Sequence, residues 1–228
     1  MLNDSCHFSF AGKVAFFNEK EKGVMKLIAV TSGSQKEVRL FQVIMGISPY
    51  VDAIMLREKQ MTKSGYSLFV QRLLAQGLPA EKLIIHGHQI LPKETAVPTL
   101  HLPENRLPEV DCLQKKYPCL QIGVSTHSLE VAKRAEQVGA AYVLYGHVFS
   151  TASKKGVKPR GVKQLATVAK ALNIPVYAIG GITTGKVNDI YQAKAGGVAV
   201  MSGIFSHTDP LEAVKSFRKE VNGYEGTR

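Results

Sequence analysis

The sequence predicts an α/β fold of the (β/α)8 TIM-barrel kind, built as a single domain. Three observations lead there. From Met25 onward, short apolar runs alternate with helical patterns. The runs are continuously apolar, as in parallel strands covered on both faces, rather than alternating as in a sheet with one wet side. Glycine and hydroxyl residues then close the seventh and eighth units, where barrels commonly build a phosphate site from backbone N–H groups. A doubly wound open sheet is the alternative, and the paired glycine loops argue against it.

Strands are expected at Lys26–Thr31, Val51–Leu56, Lys82–His86, Thr99–Leu102, Gln121–Ser125, Tyr142–Val148, Pro175–Ile179 and Gly197–Met201. Between them, Val162, Leu165, Ala166, Ala169 and Leu172 recur at helical spacing, as do Leu211, Val214, Phe217 and Val221 near the end. Gly139-Ala and Asn173-Ile-Pro mark helix ends feeding strands. Gly87 to Pro98 is the weakest segment, too short and Pro-interrupted for a full helix. Residues 1–24 depart from the pattern and carry three basic and three acidic side chains, with Lys13 breaking the only apolar stretch, so a signal peptide fits poorly. The expected division is an extension over 1–24, read as a mis-assigned start before Met25 or a tail, and a barrel domain over 25–228.

Composition bounds the class. Hydrophobic content of 45% and charged content of 21% over 228 residues describe an ordinary globular protein. No apolar run spans a bilayer, and Cys6, Cys112 and Cys119 show no metal-ligand spacing, so a reduced, cytoplasmic protein is expected. The net charge of +11 is concentrated. From Gln137 to Asn188 the charged residues are Lys154, Lys155, Lys158, Arg160, Lys163, Lys170 and Lys186, without one acid. No aromatic residues are interleaved with the four packed between Lys154 and Arg160, and no nucleic-acid motif is present. A positive mouth that concentrates a small anion accounts for the bias.

The stretch Tyr142 to Gly161 focuses this reading. A buried strand ends in Gly146-His147, a loop of Ser150, Thr151, Ser153, Lys154 and Lys155 follows, and Pro159-Arg160-Gly161 leads into a helix. His147 can take and give a proton near neutrality, with an unperturbed pKa of ~6.5. Among the other histidines, His7 lies in the extension, His207 reads as surface and His127 as structural or capping. His86 and His88 have pair spacing without a third ligand, and His101 either lines the mouth or fills the core. Arg57 and Lys59 end the second strand and could clamp an anion. Gly180, Gly181, Met201, Ser202 and Gly203 form the expected phosphate cradle. No Ser-His-Asp or Cys-His set stands out for covalent catalysis, and the strand ends offer few carboxylates for a Mg²⁺ cage. Cofactor-free proton transfer on a phosphorylated substrate is the chemistry expected from these residues.

At these motifs the chain resembles the thiamine phosphate synthase superfamily and, within it, the TenI-type thiazole tautomerases. The resemblance rests on Gly123-Val-Ser-Thr-His127, Gly146-His-Val-Phe-Ser-Thr-Ala-Ser-Lys154, Pro159-Arg-Gly161, Ala178-Ile-Gly-Gly-Ile-Thr183 and Met201-Ser-Gly203. Departures point to the subtype. The synthases carry Gln before Leu-Arg-Glu-Lys where Met55 stands, and Asn-Asp after strand three where His86-Gly87 stands. They place a second metal-binding Asp before Val-His-Leu-Gly, where Pro98-Thr-Leu-His-Leu-Pro has none, and Gly-Pro after strand six in place of Gly146-His147.

The resemblance implies an isomerase that aromatises a carboxythiazole phosphate precursor of thiamine, with His147 as general acid/base. Gly180, Gly181, Ser202 and Gly203, helped by the Thr151–Lys154 loop, would hold the phosphate; Arg57, Lys59 or Ser125 would hold the carboxylate. No cofactor and no metal site is implied. The expected partner is a small phosphorylated thiazole, with no nucleic acid and no membrane, and a homo-oligomer is left open. Two alternatives stand beside this: a thiamine phosphate synthase-like transferase coupling a pyrimidine pyrophosphate to a thiazole phosphate, and a non-catalytic regulatory protein that binds the thiazole phosphate.

Overall fold

The computed structural model describes residues 24–87 and 95–224. Eight parallel strands close into a barrel in sequence order: β1 (Lys26–Val30), β2 (Ala53–Leu56), β3 (Leu83–His86), β4 (Thr99–Leu102), β5 (Gln121–Thr126), β6 (Tyr142–Gly146), β7 (Val176–Ile179) and β8 (Gly197–Val200). Closure is made by β8 against β1, with Lys26 opposite Gly197 and Ala29 opposite Val200. Helices α1 (Glu37–Ile47), α2 (Lys63–Ala75), α3 (Val110–Lys116), α4 (Leu129–Gln137), α5 (Gly161–Ala171), α6 (Val187–Gln192), α7 (Ser202–Phe205) and α8 (Pro210–Asn222) complete the described chain. The closed barrel settles the choice against the open sheet.

Strand periodicity sorts the apolar residues into two layers. Leu27 and Ala29 point outward and join Ile44, Leu73, Val168 and Phe217 in the layer between barrel and helices. Ile28, Val30, Ala53, Met55, Ile84, Tyr142, Leu144, Tyr177 and Ala199 point inward and fill the barrel. Both faces of each strand are therefore dry, which is why the strands read as continuous apolar runs. Helix starts are capped as their sequences suggest. Thr62 accepts from the Gly65 amide at 3.1 Å, Ser128 from Val131 at 3.2 Å, and Asp209 from Leu211 at 2.9 Å ahead of Pro210.

Several bounds differ from expectation. The second strand starts at Ala53, because Ser48–Tyr50 forms a short 3-10 turn. The sixth ends at Gly146, so His147 sits just beyond it. Helix α8 buries Pro210, Ala213, Val214, Phe217 and Val221, while Leu211 is exposed; the buried stripe is one position round from the sequence pattern at its start. The extension over 1–23, with Cys6 and His7, and the segment 88–94, with His88, lie outside the described residues. Among the described residues no helix is long and apolar enough to cross a membrane.

Candidate active site at the carboxyl ends of the strands

One cavity of about 360 Å³ opens at the carboxyl ends of the strands. Its wall includes the residues of the expected site: His147, Arg57, Lys59, Ser125, Thr151, Ser153, Lys154, Gly180, Gly181, Met201, Ser202 and Gly203. These residues come from five strand ends or the loops after them, those of β2, β5, β6, β7 and β8, which the barrel places on a common face.

The phosphate-cradle residues are shaped by backbone. Gly180 has φ +101°, and a Cβ there would lie 2.3 Å from Cβ of His147. The ends of β6 and β7 therefore approach too closely for any side chain at 180. The Phe149 amide donates to the Gly180 carbonyl at 3.0 Å, and Lys186 Nζ donates to the Gly181 carbonyl at 2.9 Å while lying over the Phe149 ring. Ser202 and Gly203 open the short helix α7, where the first N–H groups of a helix have no intrahelical acceptor.

Arg57 is anchored through its backbone. Its N–H donates to Thr31 Oγ1 at 2.8 Å, and Thr31 also bonds Glu58. Glu58 is buried, which pushes its carboxyl up, and the Thr31 hydroxyl, the Gly33 amide and Arg57 pull it back. His86, also on the cavity wall, is held down to about 4 by burial and then by the charges of Arg57 and Lys59. It is a neutral ring beside two cations at neutral pH.

His101 fills the barrel core and is fully buried. Its Nε2 lies 2.8 Å from Ser125 Oγ and its Nδ1 3.1 Å from the Tyr142 hydroxyl. Rings of His86, His101, Tyr142 and Tyr177 follow one another across the barrel with centroids 5.6 Å apart at each step. Sequence reading found no serine–histidine pair; the structure makes one from β4 and β5, 24 residues apart. Its third partner is a phenol rather than a carboxylate, and burial holds His101 well below the usual histidine range. The pair therefore orients the Ser125 hydroxyl toward the cavity rather than ionising it. Only the strand register, which sets His101 opposite Gly123, brings these residues together, so no local signal announced them.

His147 is 4% exposed. Its Nε2 donates to the Val157 carbonyl at 3.1 Å, and its own carbonyl accepts from the Arg160 amide at 2.9 Å. Nδ1 is buried and has no partner among the described residues. Its ring thus ties the basic loop to the end of β6. Two further wall residues were missed or misread. Glu104, from the 3-10 turn Glu104–Glu109 after β4, accepts from His127 Nδ1 at 2.5 Å, and His127 Nε2 lies 3.1 Å from Lys154 Nζ. His127 was expected to be structural or capping; the cap of α4 is its neighbour Ser128, and His127 faces the cavity.

Fold and site define a parallel (β/α)8 barrel with a cation-rich cavity at the strand ends. A sequence model of the family described as thiamine monophosphate synthase matches residues 27–204, and the chain belongs to that family. It is 37% identical over 140 residues to the thiamine-phosphate synthase of Chlorobium luteolum, covering 61% of this chain and 66% of that one. To the thiamine-phosphate synthase of Coprothermobacter proteolyticus it is 31% identical over 183 residues, 79% of this chain and 86% of the relative. Coverage of other relatives is lower, 61% for that of Chlorobium phaeovibrioides and 55% for that of Aquifex aeolicus. Among solved structures, the thiamine phosphate pyrophosphorylase of Pyrococcus furiosus superposes with a TM-score of 0.75 at 25% identity, over 89% of this chain and 98% of that chain. The 3-hexulose-6-phosphate synthase of Salmonella typhimurium, at 15% identity and a TM-score of 0.70 over 88% and 100% of the two chains, shows the shared fold alone.

These relatives correct one expectation. They are thiamine-phosphate synthases, which are transferases, and the isomerase expected from the departures at Met55, His86-Gly87, Pro98–Pro103 and Gly146-His147 is not supported. The Mg²⁺ that the resemblance associates with the synthases does not fit the donors present. Among the described residues no group of three or more His, Cys, Asp or Glu could hold a metal. The carboxylate on the cavity wall, Glu104, is engaged by His127, and Glu58 is turned to Thr31 and Gly33.

Proposed function

We infer that the protein binds a phosphorylated precursor of thiamine in this cavity and acts as a thiamine-phosphate-synthase-type transferase, joining a pyrimidine pyrophosphate to a thiazole phosphate. The observation that carries this reading is the convergence of Arg57, Lys59 and Lys154 with the Gly180–Gly181 and Ser202–Gly203 backbone around one space, in a chain belonging to this family. In a transfer that releases pyrophosphate, negative charge grows on the leaving group. Fixed cations already aimed at that position stabilise it without reorganisation. Arg57 and Lys59, seated at the end of β2, and Lys154, on the loop after β6, supply that field from two sides. The Gly-rich amides hold the thiazole phosphate. The Ser125 hydroxyl, held by His101, supplies a hydrogen bond at the cavity floor. His147 fixes the loop carrying Lys154 through Val157 and Arg160.

The test is to incubate the purified chain with the pyrimidine pyrophosphate and the thiazole phosphate, with and without Mg²⁺, and to follow thiamine phosphate and released pyrophosphate. Product formation that falls by about 10-fold or more in Arg57→Ala supports the transferase, since a charged hydrogen bond is worth about 1.5–3 kcal/mol. No product under either condition overturns it. A second reading, ligand binding without turnover, is favoured by the donor set that does not fit a metal. Saturable binding of the thiazole phosphate with no product would establish it.

A further inference from the structure

We propose that Glu104 and His127 are positioning residues that hold Lys154 against the cavity wall as a pre-oriented cation. The three come from three different segments: the turn after β4, the end of β5 and the loop after β6. All three border the cavity. Their contacts run in one line, Glu104 Oε2 to His127 Nδ1 at 2.5 Å and His127 Nε2 to Lys154 Nζ at 3.1 Å.

Chemistry fixes the direction of that line. A carboxylate only accepts, so Nδ1 of His127 carries the proton. Nε2 then keeps its lone pair and can accept. An ammonium only donates, so Lys154 gives its proton to Nε2. Each hydrogen has one place to go, and reversing the imidazole would set two donors against each other at Lys154 and two lone pairs at Glu104. Glu104 thus acts on Lys154 through the ring, by selecting its tautomer, as a second carboxylate does for histidines in metal sites.

The arrangement has two consequences for an anion. A lysine stem is flexible, and fixing it at the moment of binding costs rotamer entropy. Here the ammonium is held beforehand by the His127 ring. The carboxylate of Glu104, which would repel a phosphate in the cavity, is also turned to His127 and balanced along the line by Lys154. The proposal deepens the anion-binding reading of the cavity and rests on it for what Lys154 does, but not for how Lys154 is held.

The test separates the two. Nitrogen-15 NMR of the ligand-free protein reads the tautomer of His127 and the exchange protection of the Lys154 ammonium. Binding of inorganic phosphate at fixed pH and salt is then measured by calorimetry. The wild type is expected to show His127 protonated at Nδ1 and a protected Lys154 signal. Glu104→Ala and His127→Phe should each lose that signal, and His127→Phe, which removes no carboxylate from the wall, should weaken phosphate binding about 2- to 10-fold, the range of one net hydrogen bond. Glu104→Gln, whose amide oxygen can still accept from Nδ1, should retain most of both. His127→Phe should add little to Lys154→Ala, since both remove the same held cation. Thermal melting within a few degrees of wild type confirms that these half-exposed substitutions fold. His127 protonated at Nε2, or losses that add fully in the double variant, would overturn the proposal. An intact tautomer and protected Lys154 in a protein that binds no phosphate would leave the relay standing and remove the anion reading of the cavity instead.

Discussion

Gly180→Ala is a direct probe of how the cavity is built, because two separable costs meet at one atom. The new methyl would stand 2.3 Å from Cβ and 2.7 Å from Cα of His147. Carbon atoms settle at about 3.5–4.0 Å, so more than ~1 Å of overlap has to be relieved by moving the ends of β6 and β7 apart. Forced overpacking of that kind costs about 1–3 kcal/mol. The backbone at φ +101° adds about 1–3 kcal/mol for a residue with a Cβ. A central expectation is a loss of about 3–4 kcal/mol, a large part of the ~5–15 kcal/mol that holds a domain. For a chain of this size that lowers the melting temperature by about 6–16 °C. Two controls divide the costs. Gly156 has φ +78° with open space around its Cβ position, so Gly156→Ala reads the backbone contribution alone, about 1–3 kcal/mol. Gly185 meets nothing within 4 Å and has no left-handed backbone, so Gly185→Ala should stay within ~0.5 kcal/mol. Melting curves of the three variants side by side are the assay. Gly180→Ala melting together with Gly185→Ala would refute the close approach of the two strand ends and, with it, the placement of His147 on the cavity wall.

Two further outcomes follow from the same structure. His86 is depressed to about 4 by burial and by Arg57 and Lys59, whereas in the unfolded chain it titrates near ~6.5. The unfolded state therefore binds the extra proton first, and stability that is complete above pH ~6.5 is lost as the pH falls toward 4. His101, also depressed, acts in the same direction. At about 1.4 kcal/mol per unit the His86 contribution is on the order of 2–3 kcal/mol. Urea midpoints at pH 7 and pH 4.5 should therefore lie closer together in His86→Asn than in the wild type, and an unchanged gap would contradict the assignment. At the other end of the barrel, Asp52 accepts from the Leu27 amide at 2.7 Å and pairs with Arg218 at 2.6 Å, linking β1 to α8. Asp52→Ala leaves a buried-strand amide and a half-buried guanidinium without this acceptor and should cost about 2–3 kcal/mol in chemical denaturation, with phosphate affinity unchanged. A shift below ~0.5 kcal/mol would show the link to be ornamental.

How far the sequence was readable depended on the range of the forces involved. Strand existence, order and barrel closure were legible because both faces of each strand are dry, leaving uninterrupted runs such as Leu27–Val30 and Val198–Val200 between turn signals. The glycine at 180 was legible for a related reason. Gly180 is required by a close approach between neighbouring strands, and such glycines leave a mark at fixed places in the eight-unit rhythm. The two hydrogen-bonded lines through the site were not legible. His101 with Ser125, and Glu104 with His127 and Lys154, join residues 23 to 27 positions apart whose meeting depends on lateral register and on loop conformation. The preference for an isomerase came from four local departures, at Met55, His86-Gly87, Pro98–Pro103 and Gly146-His147, whereas the family match extends over residues 27–204 and the relatives are synthases. In place, Nε2 of His147 donates to the Val157 carbonyl, a loop contact that its residue type alone did not announce.

The electrostatics of the cavity gives these pieces a common logic. Four histidines lie in or directly behind it, each held by different contacts. His86 is kept neutral by burial beside Arg57 and Lys59, and His101 by complete enclosure. His127 spends one nitrogen on Glu104 and the other on Lys154, and His147 gives its proton to Val157. The charge that an entering anion meets is then set by Arg57, Lys59 and Lys154, all lining the wall, against one carboxylate already engaged. The cavity thus presents one arginine and two lysines on its wall, while burial keeps His86 and His101 neutral and the rings of His127 and His147 are engaged with Glu104, Lys154 and Val157.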